Sequence, residues 1–308
     1  MIGKIAAYVA VVLVAFIGVF VWCYSGAIVT AAVTEKVVAL TYDDGPNPPH
    51  TQALLDTLER HSVKATFFLK GQNVEAFPES VRAVAKAGHE IGNHSYSHRP
   101  MFSLSKTEML EELVRTNRLI ENLVDYEPVL FRPPYGIQGP GLKMALDELD
   151  MTSILMSTSG LDWEVTDPKL IASAVVESIE PGSIILLHDG HGDVSDPSAQ
   201  DSRAASVEAT GIIIESLRAQ GYRFVTVGEL IQLSKKKGLP STVNVSLSAL
   251  AVDGHSDSSA FEATQRKALF APPTGIRSFR QTISLMPDIR LPKVDSNCRK
   301  QHQTLEAK

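Results

Sequence analysis

Two adjacent carboxylates stand where the chain changes from apolar to polar. Asp43 and Asp44 follow the apolar run 37–42 and precede Gly45-Pro46. Neighbouring carboxylates repel each other unless a cation offsets their charge, and successive residues point in different directions, so one could bind a metal while the other acts as a base. An acidic turn is the alternative interpretation. A glycosidase pair is less suitable, because its carboxyl groups must face each other roughly 5–9.5 Å apart.

His94 and His98 have a spacing that suits the chelation of one metal ion. If residues 94–98 form a helical turn, the four-residue step places both imidazoles on one face. Such a pair also occurs by chance on surface helices. Combined with Asp44, it makes a set of two histidines and one carboxylate, which leaves a coordination position open for water, as catalytic zinc requires. The sequence therefore indicates a divalent metal site, with Zn²⁺ as the expected ion.

Three further stretches contain residues able to take part in hydrolysis. Arg132-Pro133-Pro134-Tyr135 is a rigid loop that could present a guanidinium to a carboxylate and a backbone N–H to a developing oxyanion. Because an imidazole ionises near neutral pH, His188 could act as a general acid. Trp163, beside Asp162, suits the apolar face of a sugar or an acetyl methyl group. The alternatives are a solvated surface arginine, a histidine bonded to a backbone carbonyl and a tryptophan packed in the core.

These polar residues follow short apolar runs that alternate with amphipathic stretches. The apolar runs are predicted strands, at residues 37–42, 65–69, 89–92, 129–131, 153–155 and 184–187. The amphipathic stretches are predicted helices, among them 51–60, 106–124 and 205–220. This alternation predicts a parallel sheet covered by helices, either doubly wound or closed as a barrel. In both folds, ligands bind at the carboxyl ends of the strands.

Charge divides the 308 residues into three parts. Residues 1–34 contain one charged side chain, Lys4, whereas residues 35–238 have a balance of −10 and residues 239–308 a balance of +3, within a total of −6. The acidic middle part argues against nucleic acid as a partner. Two cysteines, Cys23 and Cys298, exclude a disulfide scaffold. The middle part is long enough for one α/β domain, and the polar tail at 239–308 is predicted to be mostly disordered.

The uncharged N-terminal part, residues 1–34, is predicted to be a membrane anchor. Residues 5–24 supply the roughly 20 apolar residues that a helix needs to cross a bilayer, and Lys4 ahead of them favours a cytoplasmic N-terminus. A cleaved signal peptide is the alternative, since small residues follow at 25–27 and 30–32. Both interpretations place the catalytic domain outside the cytoplasm, either at the cell membrane or as a secreted or periplasmic protein.

Taken in order, the motifs resemble those of the polysaccharide deacetylases, the NodB-homology enzymes of carbohydrate esterase family four. They are Thr41-Tyr42-Asp43-Asp44-Gly45-Pro46, His94-Ser95-Tyr96-Ser97-His98, Arg132-Pro133-Pro134-Tyr135, Asp162-Trp163 and Leu187-His188-Asp189. The resemblance covers roughly residues 36–233. It implies a distorted (β/α) barrel, a divalent metal that is usually zinc, and removal of N-acetyl groups from amino sugars.

The resemblance also implies a role for each motif residue. The metal ligands would be Asp44, His94 and His98. The general base would be Asp43, held in place by Arg132. The oxyanion would be stabilised by the backbone N–H of Tyr135, and the leaving amine would be protonated by His188. The substrate would be bound by Trp163, Leu187 and Asp162, the first two lining the acetyl pocket.

One position departs from the family's pattern. Members commonly have an aspartate four residues before the motif tryptophan, thought to tune the acid histidine, and here that position is Ser159. A serine does not stabilise an imidazolium as a carboxylate does. We therefore expect a lowered pKa for His188, unless Asp162 or Asp189 compensates.

The resulting hypothesis is a membrane-anchored, metal-dependent N-deacetylase. Its expected substrate is an extracytoplasmic amino-sugar polymer of a bacterial envelope, such as peptidoglycan or a chitooligosaccharide. One alternative is an O-acetyl esterase that acts on xylan or a similar glycan. Another is a carbohydrate-binding relative without catalytic activity.

Overall fold

The structure is a computed structural model that describes residues 17–191 and 203–236, together with Val12 and Ala15. The predicted tail at 239–308 and much of the predicted anchor at 5–24 lie outside the described residues. Within the part of the chain that is described, no helix is both long enough and apolar enough to cross a membrane.

Within the described residues, eight parallel strands form one sheet, with β1 near its middle. In chain order they are β1 (Val37–Asp43), β2 (Thr66–Leu69), β3 (Glu90–Asn93), β4 (Leu130–Phe131), β5 (Thr152–Ser153), β6 (Thr158–Ser159), β7 (Ile184–His188) and β8 (Arg223–Val225). Their order across the sheet is β5-β4-β3-β2-β1-β7-β6, and β8 pairs with the first half of β1. The sheet is curled into a half-barrel. The predicted parallel α/β fold is therefore confirmed.

Helices follow the strands and cover the sheet. They are α1 (His50–Arg60), α2 (Gly71–Ala76), α3 (Pro78–Lys86), α4 (Lys106–Val124), α5 (Pro140–Glu148), α6 (Pro168–Glu177), α7 (Ala204–Ala219) and α8 (Val227–Lys236). The longest, α4, begins with a capping box in which Ser105 and Glu108 each accept a hydrogen bond from the other's backbone N–H. It ends at Asp125, whose left-handed backbone (φ 59°) terminates the helical hydrogen bonding.

The alternation of side chains along β1 separates the main core from the site. Val38, Leu40 and Tyr42 belong to the largest buried cluster, which includes leucines of α1 and isoleucines of α7. Successive side chains of a strand point to opposite faces, so Thr41 and Asp43 face away from this cluster. One strand therefore supplies both the hydrophobic core and a carboxylate at its carboxyl end.

The sequence-based boundaries agree with the structure for most elements. The six predicted strands and the three long helices are present, with ends shifted by no more than two residues. Strands β6 and β8 are not predicted, because neither Thr158–Ser159 nor Arg223–Val225 lies in a distinct apolar run. The helical turn expected at 94–98 is wrong. These residues form an irregular loop, in which Ser95 and His98 have φ values of 63° and 58°.

Residues 23–31 pack on the domain, although they precede its predicted start at residue 35. The backbone N–H of Ile28 donates to the Ser153 carbonyl (2.9 Å), and the N–H of Leu155 donates to the Ile28 carbonyl (2.8 Å). Thr30 forms an antiparallel bridge with Ser183, just ahead of β7. This stretch, which we call the docking segment, therefore contacts the sheet at two places.

Candidate active site

Asp43 ends β1 and is held by a buried arginine. Its side chain is 4 % exposed, and Oδ1 accepts a hydrogen bond of 2.7 Å from the Arg132 guanidinium. The other carboxylate oxygen lies 3.8 Å from His94 Nε2. Asp43 is thus fixed in orientation by one ion pair, with its second oxygen directed towards the histidine pair.

Arg132 is fully buried, in contrast to a solvated surface arginine. Besides Asp43, its guanidinium donates to the Thr41 hydroxyl (2.7 Å) and to the Leu155 carbonyl (3.2 Å), and Nε donates to the Ile154 carbonyl (3.3 Å). Its guanidinium carbon also lies 4.2 Å from the ring centroid of Phe68. The planar guanidinium is well suited to a buried position with several partners, because its fixed set of donors can bond several acceptors at once.

Asp44, His94 and His98 bring three ligand-type atoms together. One atom from each residue lies within 4.8 Å of the others. Asp44 Oδ1 is 3.5 Å from His94 Nε2 and 3.4 Å from His98 Nε2, and it is buried without a hydrogen-bond partner. A buried carboxylate oxygen without a partner is costly, and a cation between the three groups would satisfy it. These residues therefore fit a divalent metal.

The two imidazoles are held in the state that a metal requires. His94 Nδ1 lies 2.8 Å from the Arg132 carbonyl; donation to that oxygen leaves Nε2 with a free lone pair. Burial lowers the pKa of His98 to about 4, so this ring is neutral at pH 7. Burial alone would raise the pKa of Asp44, but the neighbouring histidines hold it below its usual range. His98 and Asp44 are thus available as ligands near neutral pH.

Glu112, on α4, holds the loop that carries both histidines. Its Oε2 accepts hydrogen bonds from the backbone N–H groups of Tyr96 (2.8 Å) and Ser97 (2.7 Å), and its Oε1 accepts from the Ser97 hydroxyl (2.6 Å). Left-handed φ values at Ser95 and His98 are unfavourable for residues other than glycine, so the surrounding contacts must maintain them. The sequence has no signal for this role, since Glu112 resembles any polar residue on a helix.

We expect Glu112→Gln to weaken metal binding by about 10- to 100-fold, because the amide would turn a donor towards backbone N–H groups and release the loop. Affinity would be measured by competition with a chromophoric chelator, and thermal melting of the metal-free protein would report folding. Glu111→Gln is the matched control, because Glu111 is the exposed neighbour on the same helix. Equal metal affinities for the two variants would contradict the assigned role.

His188, at the end of β7, is paired with Asp162. Its Nδ1 lies 2.8 Å from Asp162 Oδ1, and its backbone N–H donates to Asp162 Oδ2 (2.8 Å). Ser206 on α7 also donates to Oδ2, at 2.6 Å. Burial would lower the pKa of His188, but the Asp162 carboxylate outweighs it and raises this pKa. The lowered value expected from Ser159 is therefore not found, because Asp162 compensates.

Asp162, for which a substrate-binding role is predicted, lies against His188. Its side chain is fully buried and engaged by His188 and Ser206, an arrangement suited to orienting the histidine. Asp189 does not take part in this pair. Its Oδ2 instead accepts a hydrogen bond from Thr51 (2.6 Å), and burial raises its pKa to about 7.

The predicted substrate contacts Trp163 and Leu187 and the predicted oxyanion residue Tyr135 divide between surface and core. Trp163 is 40 % exposed, with its ring edge-on to His188 at a centroid distance of 5.4 Å. Tyr135 is 41 % exposed, and its ring centroid lies 4.8 Å from that of His98. Leu187 is fully buried in the main core cluster, which places it behind the site rather than on an open pocket wall.

The arginine-bound carboxylate of Asp43, the carboxylate-paired imidazole of His188 and the Asp44–His94–His98 cluster thus meet at one edge of the sheet. Asp43 and His188 are register neighbours across the β1–β7 pair, and the three ligand-type residues follow β1 and β3. Parallel strands lie roughly 4.8 Å apart, so the Asp43 carboxylate and the His188 imidazole are close enough to act on the same substrate bond. This arrangement suits hydrolysis of an acyl bond to a poor leaving group.

Comparisons with known proteins agree with this geometry. A family model described as polysaccharide deacetylase matches residues 30–154. A peptidoglycan-N-acetylglucosamine deacetylase of Bacillus cereus is 38 % identical over 201 residues, which is 65 % of this chain and 70 % of the relative. A chitooligosaccharide deacetylase of Bradyrhizobium sp. is 33 % identical over 198 residues, covering 63 % and 90 % of the two chains.

Solved structures give the same result. The crystal structure of the Bc1960 peptidoglycan N-acetylglucosamine deacetylase superimposes with a TM-score of 0.62 at 36 % identity, over 68 % of this chain and 94 % of that one. Sequence identity, fold and the position of the polar residues at the strand ends therefore lead to one assignment. The chain belongs to the polysaccharide deacetylase family.

Proposed function

We propose that this protein is a metal-dependent hydrolase that removes N-acetyl groups from an amino-sugar polysaccharide and releases acetate. One observation supports this most directly. The buried Asp44 Oδ1 lies between His94 and His98 without a hydrogen-bond partner, directly beside the Asp43–Arg132 ion pair. Metal-type ligands next to an oriented base are the parts that amide hydrolysis requires.

The proposed reaction breaks the C–N bond of an acetamide by addition of water. Asp43 takes a proton from water, and Arg132 fixes the Asp43 carboxylate during this step. His188 gives a proton to the departing amine nitrogen, and Asp162 stabilises the imidazolium before transfer. The backbone N–H of Tyr135 is proposed to donate to the developing oxyanion. A cation held by Asp44, His94 and His98 would polarise the acetamide carbonyl and acidify water.

Zinc is the metal that we propose. Two imidazole nitrogens and one carboxylate oxygen form a mixed set that suits a borderline-soft ion, and three protein ligands leave a position open, as in catalytic zinc sites. We also propose Trp163 as a substrate contact, because its exposed ring lies against His188.

Peptidoglycan and chitooligosaccharides are the proposed substrates, following the names of the relatives. The apolar stretch at residues 5–24 supports an anchor that leaves the catalytic domain outside the cytoplasm. A bacterial envelope offers both acetylated polymers and a membrane for such an anchor.

The test is acetate release by the purified full chain in detergent, with peptidoglycan and chitooligosaccharide offered side by side. We expect turnover with added zinc, loss of turnover after chelation, and recovery when zinc is restored. An acetylated xylan serves as the ester substrate in the same assay. Faster acetate release from that ester than from either amide would favour an O-acetyl esterase. Metal binding without turnover on any of the three would instead favour a carbohydrate-binding relative.

A further inference from the structure

The docking segment, residues 23–31, is bound to the domain by apolar contacts. Cys23, Tyr24 and Ala27 are at most 6 % exposed and pack with Leu155. Ile28 and Ala31 are equally buried in the cluster that includes Phe68 and Ile154. Burial of several apolar side chains stabilises these contacts, so this stretch does not behave as a free linker.

Backbone and side-chain hydrogen bonds reinforce the packing. The N–H of Ala31 donates to the Gly182 carbonyl at 3.0 Å, in addition to the pairing of Ile28 with residues 153 and 155. The backbone N–H of Gln138 donates to the Tyr24 hydroxyl (3.0 Å), and Gln138 Nε2 donates to the Cys23 carbonyl (2.7 Å). The docking segment is therefore tied to the loop that follows Arg132.

That loop keeps the docking segment close to the catalytic residues. Gln138 follows Tyr135 by three residues, which span at most about 11 Å of extended chain. The Tyr135 ring is 4.8 Å from the His98 ring. The Tyr24 hydroxyl consequently lies within about 20 Å of the metal-type residues.

The docking segment follows a helix directly, without a flexible linker between them. Residues 17–23 are helical. The N–H and the hydroxyl of Ser25 both donate to the Trp22 carbonyl, at 3.1 and 2.7 Å, and the N–H of Ala27 donates to the Tyr24 carbonyl (3.1 Å). A hydrogen-bonded turn thus joins the end of the predicted anchor to the domain.

The exposed surface beside this turn has the composition of a bilayer interface. Val19, Phe20 and Trp22 are 50 %, 39 % and 44 % exposed. From α5, Lys143 places its ammonium 5.9 Å from the Trp22 ring centroid, and Met144 is 45 % exposed. Tryptophan and lysine beside apolar residues are typical of the level at which a protein meets lipid head groups. Val19, Phe20 and Trp22 belong to the apolar stretch at 5–24. A lipid bilayer is therefore the partner that fits this exposed surface.

We propose that residues 17–31 hold the catalytic domain against the membrane without a flexible linker, so that its substrate is an acetylated amino-sugar glycan attached to that membrane or lying within about 30 Å of it. The proposal rests on the N-deacetylase activity and the anchor proposed above. It narrows the substrate class from cell-wall glycan in general to glycan that is still at the bilayer surface.

The test uses the full chain in vesicles of phosphatidylethanolamine and phosphatidylglycerol. Acetate release is measured from a chitooligosaccharide coupled to lipid in the same vesicles and from isolated peptidoglycan sacculi added outside. A variant with a flexible Gly/Ser insert of about 20 residues between Trp22 and Cys23 gives the domain an added reach of about 25 Å and leaves the docking segment intact. The same insert behind Lys236 is the matched control.

We expect the unmodified chain and the control to prefer the lipid-coupled substrate, and the insert after Trp22 to reduce that preference by about tenfold or more. An unchanged preference would overturn the proposal. Activity on free chitooligosaccharide in detergent shows whether each variant is folded, and its absence from every variant would instead reject the deacetylase function. If the chain does not float together with the vesicles, the proposed membrane anchor is rejected.

Discussion

Asp43→Asn should lower kcat for acetate release by about 10²- to 10⁴-fold, the contribution that a positioned general base makes to hydrolysis. Asparagine keeps the shape and can still accept the Arg132 hydrogen bond, but it takes no proton from water. Metal binding should persist, because the three ligand-type atoms belong to Asp44, His94 and His98. The measurement combines steady-state kinetics with metal content after dialysis.

Stability must be measured beside the kinetics of this variant. Arg132 is fully buried and its ion pair with Asp43 spans 2.7 Å, so loss of the negative charge leaves a buried cation without its counterion. Disruption of such pairs costs about 3–5 kcal/mol, so assays belong well below the melting temperature of the variant. Asp56→Asn is the control, since Asp56 is exposed and its carboxylate accepts a hydrogen bond from the neighbouring Gln52 on the same helix. Full activity in Asp43→Asn would remove Asp43 as the base.

Asp162→Asn should reduce kcat by about 10²- to 10³-fold, within the range for general acid catalysis. The carboxylate accepts a hydrogen bond of 2.8 Å from His188 Nδ1–H and stabilises the imidazolium. An asparagine whose oxygen keeps the contacts to Ser206 and to the His188 backbone presents its amide group to Nδ1 and favours the wrong tautomer. Where an aspartate orients a catalytic histidine in serine proteases, the same substitution costs roughly 10⁴-fold.

The pH profile separates this role from a general loss of folding. A general acid must be protonated, and Asp162 raises the pKa of His188, so activity persists above the ordinary imidazole value of about 6.5 and is lost as pH rises through the raised pKa. In Asp162→Asn the alkaline limb of kcat should move to lower pH. Glu164→Gln should leave that limb in place, because Glu164 is exposed and contacts Trp163 only through its indole N–H. Identical limbs in the two variants would show that His188 is not the acid.

The residues at the strand ends could be predicted from sequence, because a short apolar run followed by a polar residue is visible within a few positions of the chain. Asp43, His94, Arg132 and His188 each follow an apolar run, and parallel strands bring their carboxyl ends to one edge. Asp44, His94 and His98 do lie together, although the helical turn expected for His94 and His98 is wrong. Its geometry comes instead from an irregular loop with two left-handed residues, and no periodic pattern encodes such a loop.

Contacts from distant elements could not be predicted. Glu112 reaches the histidine loop from the middle of α4, and Ser206 reaches Asp162 from α7 across 44 residues of sequence. The resemblance implies that Leu187 lines the acetyl pocket, and strand alternation places its side chain on the core face of β7. Asp162 precedes Trp163 in the sequence. That position alone does not distinguish a residue that contacts substrate from one that pairs with His188.

The ties between the docking segment and the catalytic loop also bear on how the protein matures. Tyr24 and Gln138 are 114 residues apart in sequence, and Asp43 and Arg132 are 89 apart. Contacts between such distant residues require a long loop to close, which costs conformational entropy and slows folding. A chain crossing a membrane unfolded would therefore lack both the oriented base and the complete ligand set. With the export proposed above, metal binding and activity would begin only after the domain has folded outside the cytoplasm.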